Sequence, residues 1–172
     1  MRRIVILGNA GSGKSTLARE LGQRLGLPVV HLDRLFWEPG WTMAESEIFR
    51  TRVREATSGS AWVCEGNYHR QTFDLRLPRA DLIIWLDTSR VRCVARVAMR
   101  GALNRPRSDL PDGCVEKLDA DFLAFLKYVW TFDREKRPAI ENERLAKGAT
   151  VPVLRLRYPG QISEFLGSLT AQ

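Results

Sequence analysis

Short, nearly continuous apolar runs recur along the chain, and stretches of helical periodicity separate them. The runs are Ile4-Val5-Ile6-Leu7, Val29-Val30-His31-Leu32, Ala61-Trp62-Val63-Cys64, Leu82-Ile83-Ile84-Trp85-Leu86 and Val151-Pro152-Val153-Leu154-Arg155-Leu156. They do not alternate apolar with polar, so they read as strands covered on both faces. Leu17, Leu21 and Leu25, widened by Ala18, recur at helical spacing over 14–25, and Gly26 followed by Pro28 closes that helix. Thr42-Met43-Ala44-Glu45 has the form of a capping box, predicting a helix to about Thr57 that Ser58-Gly59-Ser60 breaks. Val91, Val94, Ala95 and Ala98 share one face of a helix predicted from about Ser89 to Leu103. Val115, Leu118, Phe122, Phe125, Leu126 and Val129 mark a core-facing helix that Pro138 ends or kinks. A further helix runs to Lys147 with Gly148 closing it, and a terminal one spans Ile162 to Leu169.

Strands alternating with helices predict an α/β protein: a five-stranded parallel sheet with helices on both faces. In such sheets ligands gather at the carboxyl ends of the strands. Three of the apolar runs lead there into an acid: Asp33 after the second, Glu65-Gly66 after the third and Asp87 after the fourth.

A length of 172 residues suits one domain, with 44% hydrophobic and 27% charged residues. No apolar run is long enough to span a bilayer, and Met1-Arg2-Arg3 leads straight into the first strand without a leader's apolar region. A cytoplasmic protein without a membrane partner is the expectation, either a monomer or a homodimer. Cys64, Cys93 and Cys114 lie far apart with only His31 and His69 as co-ligands, so they read as thiols, not as a zinc site. The net charge of +7 fits nucleic acid or a phosphorylated small molecule, and the placement of the arginines decides between them.

Gly8-Asn9-Ala10-Gly11-Ser12-Gly13-Lys14-Ser15-Thr16 follows the first strand and opens the first helix, matching G-x-x-x-x-G-K-[ST]. In strand-loop-helix context this predicts a phosphate cradle. Gly8, Gly11 and Gly13 leave room for backbone amides to face an anion, with Ala10 and Ser12 in the same loop. Lys14 would reach the β- and γ-phosphates of a nucleotide, Ser15 would offer its hydroxyl to Mg²⁺, and Thr16 would sit near the α-phosphate.

From Thr88 to Ser108 there are six arginines and no acid. Arg92, Arg96 and Arg100 form one helical row, where like charges repel by a few tenths of a kcal/mol per pair. Such a row is useful when an anion comes to it, and Arg105-Pro106-Arg107 beyond it suggests a short cover, about 101–113, over the phosphates. Trp37, Trp41, Tyr68 and Phe73 could stack on an acceptor or join the core.

The chain resembles the nucleoside monophosphate kinase group of P-loop proteins, the adenylate-kinase-like family, and within it the bacterial DNA topology modulation proteins. The likeness covers Arg2 to about Leu169. It rests on the P-loop, His31-Leu32-Asp33-Arg34-Leu35-Phe36-Trp37 with Pro39-Gly40-Trp41, Trp62-Val63-Cys64-Glu65-Gly66-Asn67-Tyr68, and Leu86-Asp87 followed by Cys93, Arg96 and Arg100. Pro111-Asp112-Gly113-Cys114 and Phe132 through Arg137-Pro138 complete it. The resemblance implies a three-layer P-loop NTPase fold of strand order 2-3-1-4-5, ATP with Mg²⁺, and phosphoryl transfer to a small acceptor under a lid. It places Arg96 and Arg100 at the lid base on the ATP phosphates, Arg105 and Arg107 in the lid, and Arg157-Tyr158-Pro159 against adenine. Asp33 takes the acid near acceptor and metal, and Glu65 takes the place of an aspartate followed by glycine after strand three; Ser15, Asp33 and Glu65 are the metal candidates. The chain departs from adenylate kinases in having His31-Leu32-Asp33 where their AMP site begins with Thr-Gly-Asp, and in a short lid without a zinc quartet; AMP is a poor candidate acceptor. The expectation is an ATP-dependent phosphotransferase in a single domain over 1–172, with Lys14, Asp33, Arg96, Arg100, Arg105 and Arg107 catalytic. The alternative is an ATP-binding regulator associated with nucleic acid.

Overall fold

The structure, a computed structural model, describes residues 1–103, 109–111, 113–114 and 119–169. In chain order the elements are β1 (Arg3–Gly8), α1 (Lys14–Leu25), β2 (Val29–His31), α2 (Leu32–Phe36), β3 (Trp37–Glu38), β4 (Thr42–Met43) and α3 (Ser46–Ala56). There follow β5 (Trp62–Glu65), α4 (His69–Arg76), a 3₁₀ turn (Leu77–Arg79), β6 (Leu82–Leu86), α5 (Arg90–Leu103), α6 (Ala120–Glu135), α7 (Arg137–Gly148), β7 (Val153–Leu156) and α8 (Pro159–Ser168).

Five strands form one sheet in the order β2-β5-β1-β6-β7, every pair parallel. Numbered by the five apolar runs, this is the expected 2-3-1-4-5 order of a P-loop NTPase. β1 lies at its centre with Ile4, Val5, Ile6 and Leu7 all fully buried. Its side chains alternate between two cores. Val5 and Leu7 join Phe49, Trp62, Phe73, Trp85, Phe132 and Ile140 under α3, α4, α6 and α7. Ile4 and Ile6 join Leu17, Ala18 and Leu21 of α1, with Ile162 and Phe165 of α8 packed against them. Each such aliphatic side chain contributes roughly 1.5–3 kcal/mol by leaving water. Cys93, Val97, Phe122 and Val129 form a smaller cluster that fixes α5 on α6.

Four boundaries differ from the periodicity. Asp33 lies not at a strand end but in the first turn of α2, because β2 is three residues long and the chain turns into helix at Leu32. Thr42 does not cap a helix. It pairs with Glu38 in an antiparallel β3–β4 hairpin whose turn holds Gly40 and Trp41 at φ 77° and 62°, and α3 begins later with Glu45 as its N-cap. α4, where the sequence gives no apolar stripe, is a helix that buries Phe73 and Arg76. α8 starts at Pro159, whose fixed φ suits a first helical turn, and Tyr158 and Gln161 form its capping box. Pro138 sits in the first turn of α7, so the long helical pattern divides at Lys136. Val115 and Leu118 lie outside the described residues.

Candidate active site

The first glycines of the phosphate-loop motif are required by space. A Cβ on Gly8 would lie 2.7 Å from Leu86 O, and one on Gly11 would lie 2.5 Å from Cys93 O, with φ at 145° and 75°. No L side chain fits either place. Gly13, also at positive φ, is the N-cap of α1, and Leu17 N donates to its carbonyl at 3.0 Å. The loop thus runs directly into a helix N-terminus, the arrangement that favours anions.

A cleft of about 620 Å³ opens on this loop, lined by residues 10–17 together with Arg19, Glu20, Asp33, Glu65, Arg96, Arg100, Asp109, Phe125, Ile162 and Leu166. Ala10, Gly11, Ser12, Gly13, Lys14, Ser15 and Thr16 therefore share it with Asp33, Glu65, Arg96 and Arg100, which lie far from the loop along the chain. Lys14 Nζ donates to Asn9 O at 2.9 Å, folded back along its own loop. Arg96 crosses from α5 and donates to the carbonyls of Gly11 at 3.3 Å and Ser12 at 3.2 Å. Gly8 is the strand residue from which the loop departs, held there by Asn67.

The acids meet at Ser15. Its hydroxyl lies 2.7 Å from Asp109 Oδ2 and 3.1 Å from Glu65 Oε1, and has one hydrogen to give. His31 Nδ1 lies 2.9 Å from the same Glu65 oxygen, within hydrogen-bond reach. Glu65 and Asp109 are both buried, at 2% and 7% exposure. Asp33 accepts a hydrogen bond at 2.7 Å from the Tyr68 hydroxyl. Burial, followed by the Asp33 charge, pushes the Tyr68 phenol far above its ordinary value, so it remains a donor.

These groups fit a magnesium ion. Ser15, Glu65 and Asp33 offer hard oxygen atoms in one cleft, and Mg²⁺ takes one or two carboxylates while substrate phosphates and water complete its octahedron. Among the described residues no group of three His, Cys, Asp or Glu gathers into a protein-only metal cage. Such a cage suits zinc or calcium better.

Other expected residues lie elsewhere. Arg157, Tyr158 and Pro159 do not line this cleft. Arg157 Nε donates to Asp87 Oδ2 at 3.2 Å, beside Arg137 at 2.7 Å from Oδ1, and Tyr158 is 63% exposed. The α8 residues that do line it are Ile162 and Leu166, one and two turns further on. Arg105 and Arg107 lie outside the described residues. Of the aromatic candidates, Phe73 is core, Trp37 packs edge-on against Trp41, and Tyr68 packs on Phe36 and Phe49.

Sequence reasoning missed Asp109, Asn67, His31, Arg19 and Phe125. His31 and Asn67 were findable, since each sits at or just beyond the carboxyl end of a strand that carries a candidate acid. Asp109 follows a connection with no periodicity, and nothing in its neighbours marks it.

No protein-family model matches the chain. Shikimate kinase of Symbiobacterium thermophilum is 34% identical over 123 residues, 63% of this chain and 71% of that protein. Threonine synthase-like 1 of Mus musculus is 44% identical over 46 residues, 27% of this chain but 6% of the mouse protein. Among solved structures, deoxyadenosine kinase from M. mycoides with bound dCTP superposes with a TM-score of 0.52 at 14% identity, covering 99% of this chain and 100% of that one. A candidate kinase from Chloroflexus aurantiacus J-10-fl gives 0.55 at 17% identity, covering 99% and 97%. Both structures share the fold. Together with the phosphate loop and its cleft, the likeness to shikimate kinase places the chain in the P-loop, nucleoside monophosphate kinase-like family of kinases.

Proposed function

We propose that the protein transfers the γ-phosphoryl group of ATP to a hydroxyl of a small-molecule acceptor. One observation carries this reading: Lys14 and Ser15 of the loop, Arg96 and Arg100 of α5, and the acids Asp33 and Glu65 line the same cleft. Phosphoryl transfer needs positioning and charge neutralisation more than covalent chemistry. The loop backbone and Lys14 hold the β- and γ-phosphates, and Arg96 and Arg100 face the charge that spreads over the transferring group. Ser15, Glu65 and Asp33 would hold Mg²⁺, which supplies neutralisation of phosphate charge. Asp33, oriented by Tyr68, accepts the proton of the attacking hydroxyl.

A hydroxyl acceptor is favoured over a phosphate because none of the six arginines between β2 and the end of α4 (Arg34, Arg50, Arg52, Arg54, Arg70 and Arg76) lines the cleft, and three of them are engaged elsewhere. Arg50 binds Asp74 at 2.7 Å, Arg52 binds Glu38 at 3.1 Å, and Arg76 is buried on backbone carbonyls. None of these three lines the cleft, whose acceptor end presents carboxylates. The regulator reading draws on the basic character of α5, yet two of its arginines face this cleft, where a nucleotide accounts for them.

The test is purified protein with Mg·ATP and paired acceptors, nucleosides and hydroxy acids beside nucleoside monophosphates, with ADP followed. Turnover is expected with a hydroxyl compound and lost in Lys14→Ala. Unchanged turnover in Lys14→Ala, or salt-sensitive binding of DNA without any ADP formation, would overturn the reading.

A further inference from the structure

We propose that Asn67 positions the phosphate loop, its side-chain amide standing in for a strand residue that β5 lacks, with Arg76 locking it in place. The inference rests on the phosphate-cradle reading of residues 8–16. β5 ends at Glu65, opposite Ile6 of β1, and Gly66 N makes one further bond to Ile6 O at 3.2 Å. The chain then leaves the sheet through Gly66 at φ 124° and Tyr68 at φ 34°. Gly8, where the loop departs, would be left with its N–H and C=O facing no strand on that side. Asn67 answers both: Oδ1 accepts from Gly8 N at 3.1 Å, and Nδ2 donates to Gly8 O at 2.9 Å. A primary amide offers the same acceptor and donor as a peptide group, so the ladder continues one step past the end of the strand.

The backbone carrying Asn67 is itself held from below. Arg76, fully buried, donates through Nη2 to Gly66 O at 2.9 Å and Asn67 O at 2.5 Å, and through Nε to Thr72 Oγ1 at 3.0 Å. Thr72 Oγ1 in turn donates to Tyr68 O at 2.9 Å. Three consecutive carbonyls are fixed by one guanidinium and the hydroxyl it touches. Placing a guanidinium in the interior on neutral dipoles carries a solvation penalty that an apolar residue would avoid. The return is the geometry of one short segment. Glu65 meets Ser15, Asn67 sets the start of the loop and Tyr68 orients Asp33.

The experiment titrates the full chain with Mg·ADP and, separately, with pyrophosphate, which engages the phosphate site alone, well below the melting temperature of each variant. Asn67→Ala and the isosteric Asn67→Asp, which turns a second acceptor toward Gly8 O, should each lose about tenfold or more in affinity for both ligands while melting as folded proteins. Arg76→Lys keeps the charge without the fork and should lose a similar factor; should it fail to fold, the Asn67 variants decide. Lys14→Ala is the control. Loss in Lys14→Ala with affinities within twofold of wild type in both Asn67 variants would overturn this inference alone. A wild-type protein that binds neither ligand, or a Lys14→Ala variant that binds as well as wild type, would overturn the cradle reading and this inference with it.

Discussion

The two halves of the cleft are made by different means. The half proposed for the phosphate donor is one continuous stretch whose shape is set by backbone: Gly8 and Gly11 are glycine because Leu86 O and Cys93 O leave no room for a Cβ. The half proposed for the acceptor is assembled from side chains of separate elements. Asp33 comes from α2, the Tyr68 hydroxyl that orients it from the N-cap of α4, and both rest on a cluster in which Phe36, Phe49 and Tyr68 lie 4.8–5.1 Å apart. On the proposed reading the contrast has a functional sense. Phosphates look alike whatever nucleotide carries them, so backbone can recognise them, whereas an acceptor must be told from others by side chains.

If the halves are separable, they lose function separately. Asp33→Asn should reduce phosphoryl transfer by about 10²–10⁴-fold, the usual contribution of a positioned general base, and lower Mg·ADP affinity far less than the loss of Lys14 does. Lys14→Ala should lose both. Equal loss of ADP affinity in the two variants, read by calorimetric titration, would break the comparison.

Stability separates them in the opposite sense. Phe49 is fully buried under Tyr68, and Phe49→Ala should lower unfolding free energy by about 3–5 kcal/mol in denaturant melts without changing ADP affinity of the folded fraction. Gly11→Ala should lower it by about 1–3 kcal/mol yet abolish ADP binding, because strain and the Cys93 O contact fall on the loop itself. Between these lies Tyr68→Phe. It removes one hydrogen bond to a carboxylate, and should lower unfolding free energy by about 1.5–3 kcal/mol and slow transfer while the folded protein keeps its ADP affinity.

How far the sequence could be read follows the same division. Local pattern was enough for the five strands, their order through the family likeness, α1 to the residue, and the loop with Lys14 and Ser15. It could not deliver what depends on long-range pairing. Nothing near Ser15 announces Asp109, 94 positions away. α4 was invisible because its buried face is made by Phe73, Thr72 and an arginine, and Arg76 reads as surface until its carbonyl partners are known. Thr42 to Glu45 matched a capping box by residue type, but the hairpin through Gly40 and Trp41 claimed Thr42 first. Local signals lost there to pairing across the chain.

The smallest expected effect lies at the far pole of the sheet and serves as the control for both halves. Asp81 precedes β6 and accepts from Arg2 N at 2.7 Å, from Arg3 N at 2.9 Å and from the Arg3 guanidinium at 2.7 Å. The Arg2 amide first, then the Arg3 side chain and amide, hold its carboxyl down at about 2, against 3.8 ordinarily. A depressed folded-state value means the carboxylate stabilises the fold above the unfolded value, and that stability is lost as pH falls from about 4 through 2. The pair is partly open to solvent, which screens it, so about 1 kcal/mol is expected. Asp81→Asn should therefore lie about 1 kcal/mol below wild type at pH 6, and the two stability curves should approach each other as pH falls from about 4 and meet below pH 2. Mg·ADP affinity should be the same in both at pH 7. A change there would mean that the two poles of the sheet are mechanically linked, and that loss of affinity in a variant at the cleft does not by itself locate the defect in either half.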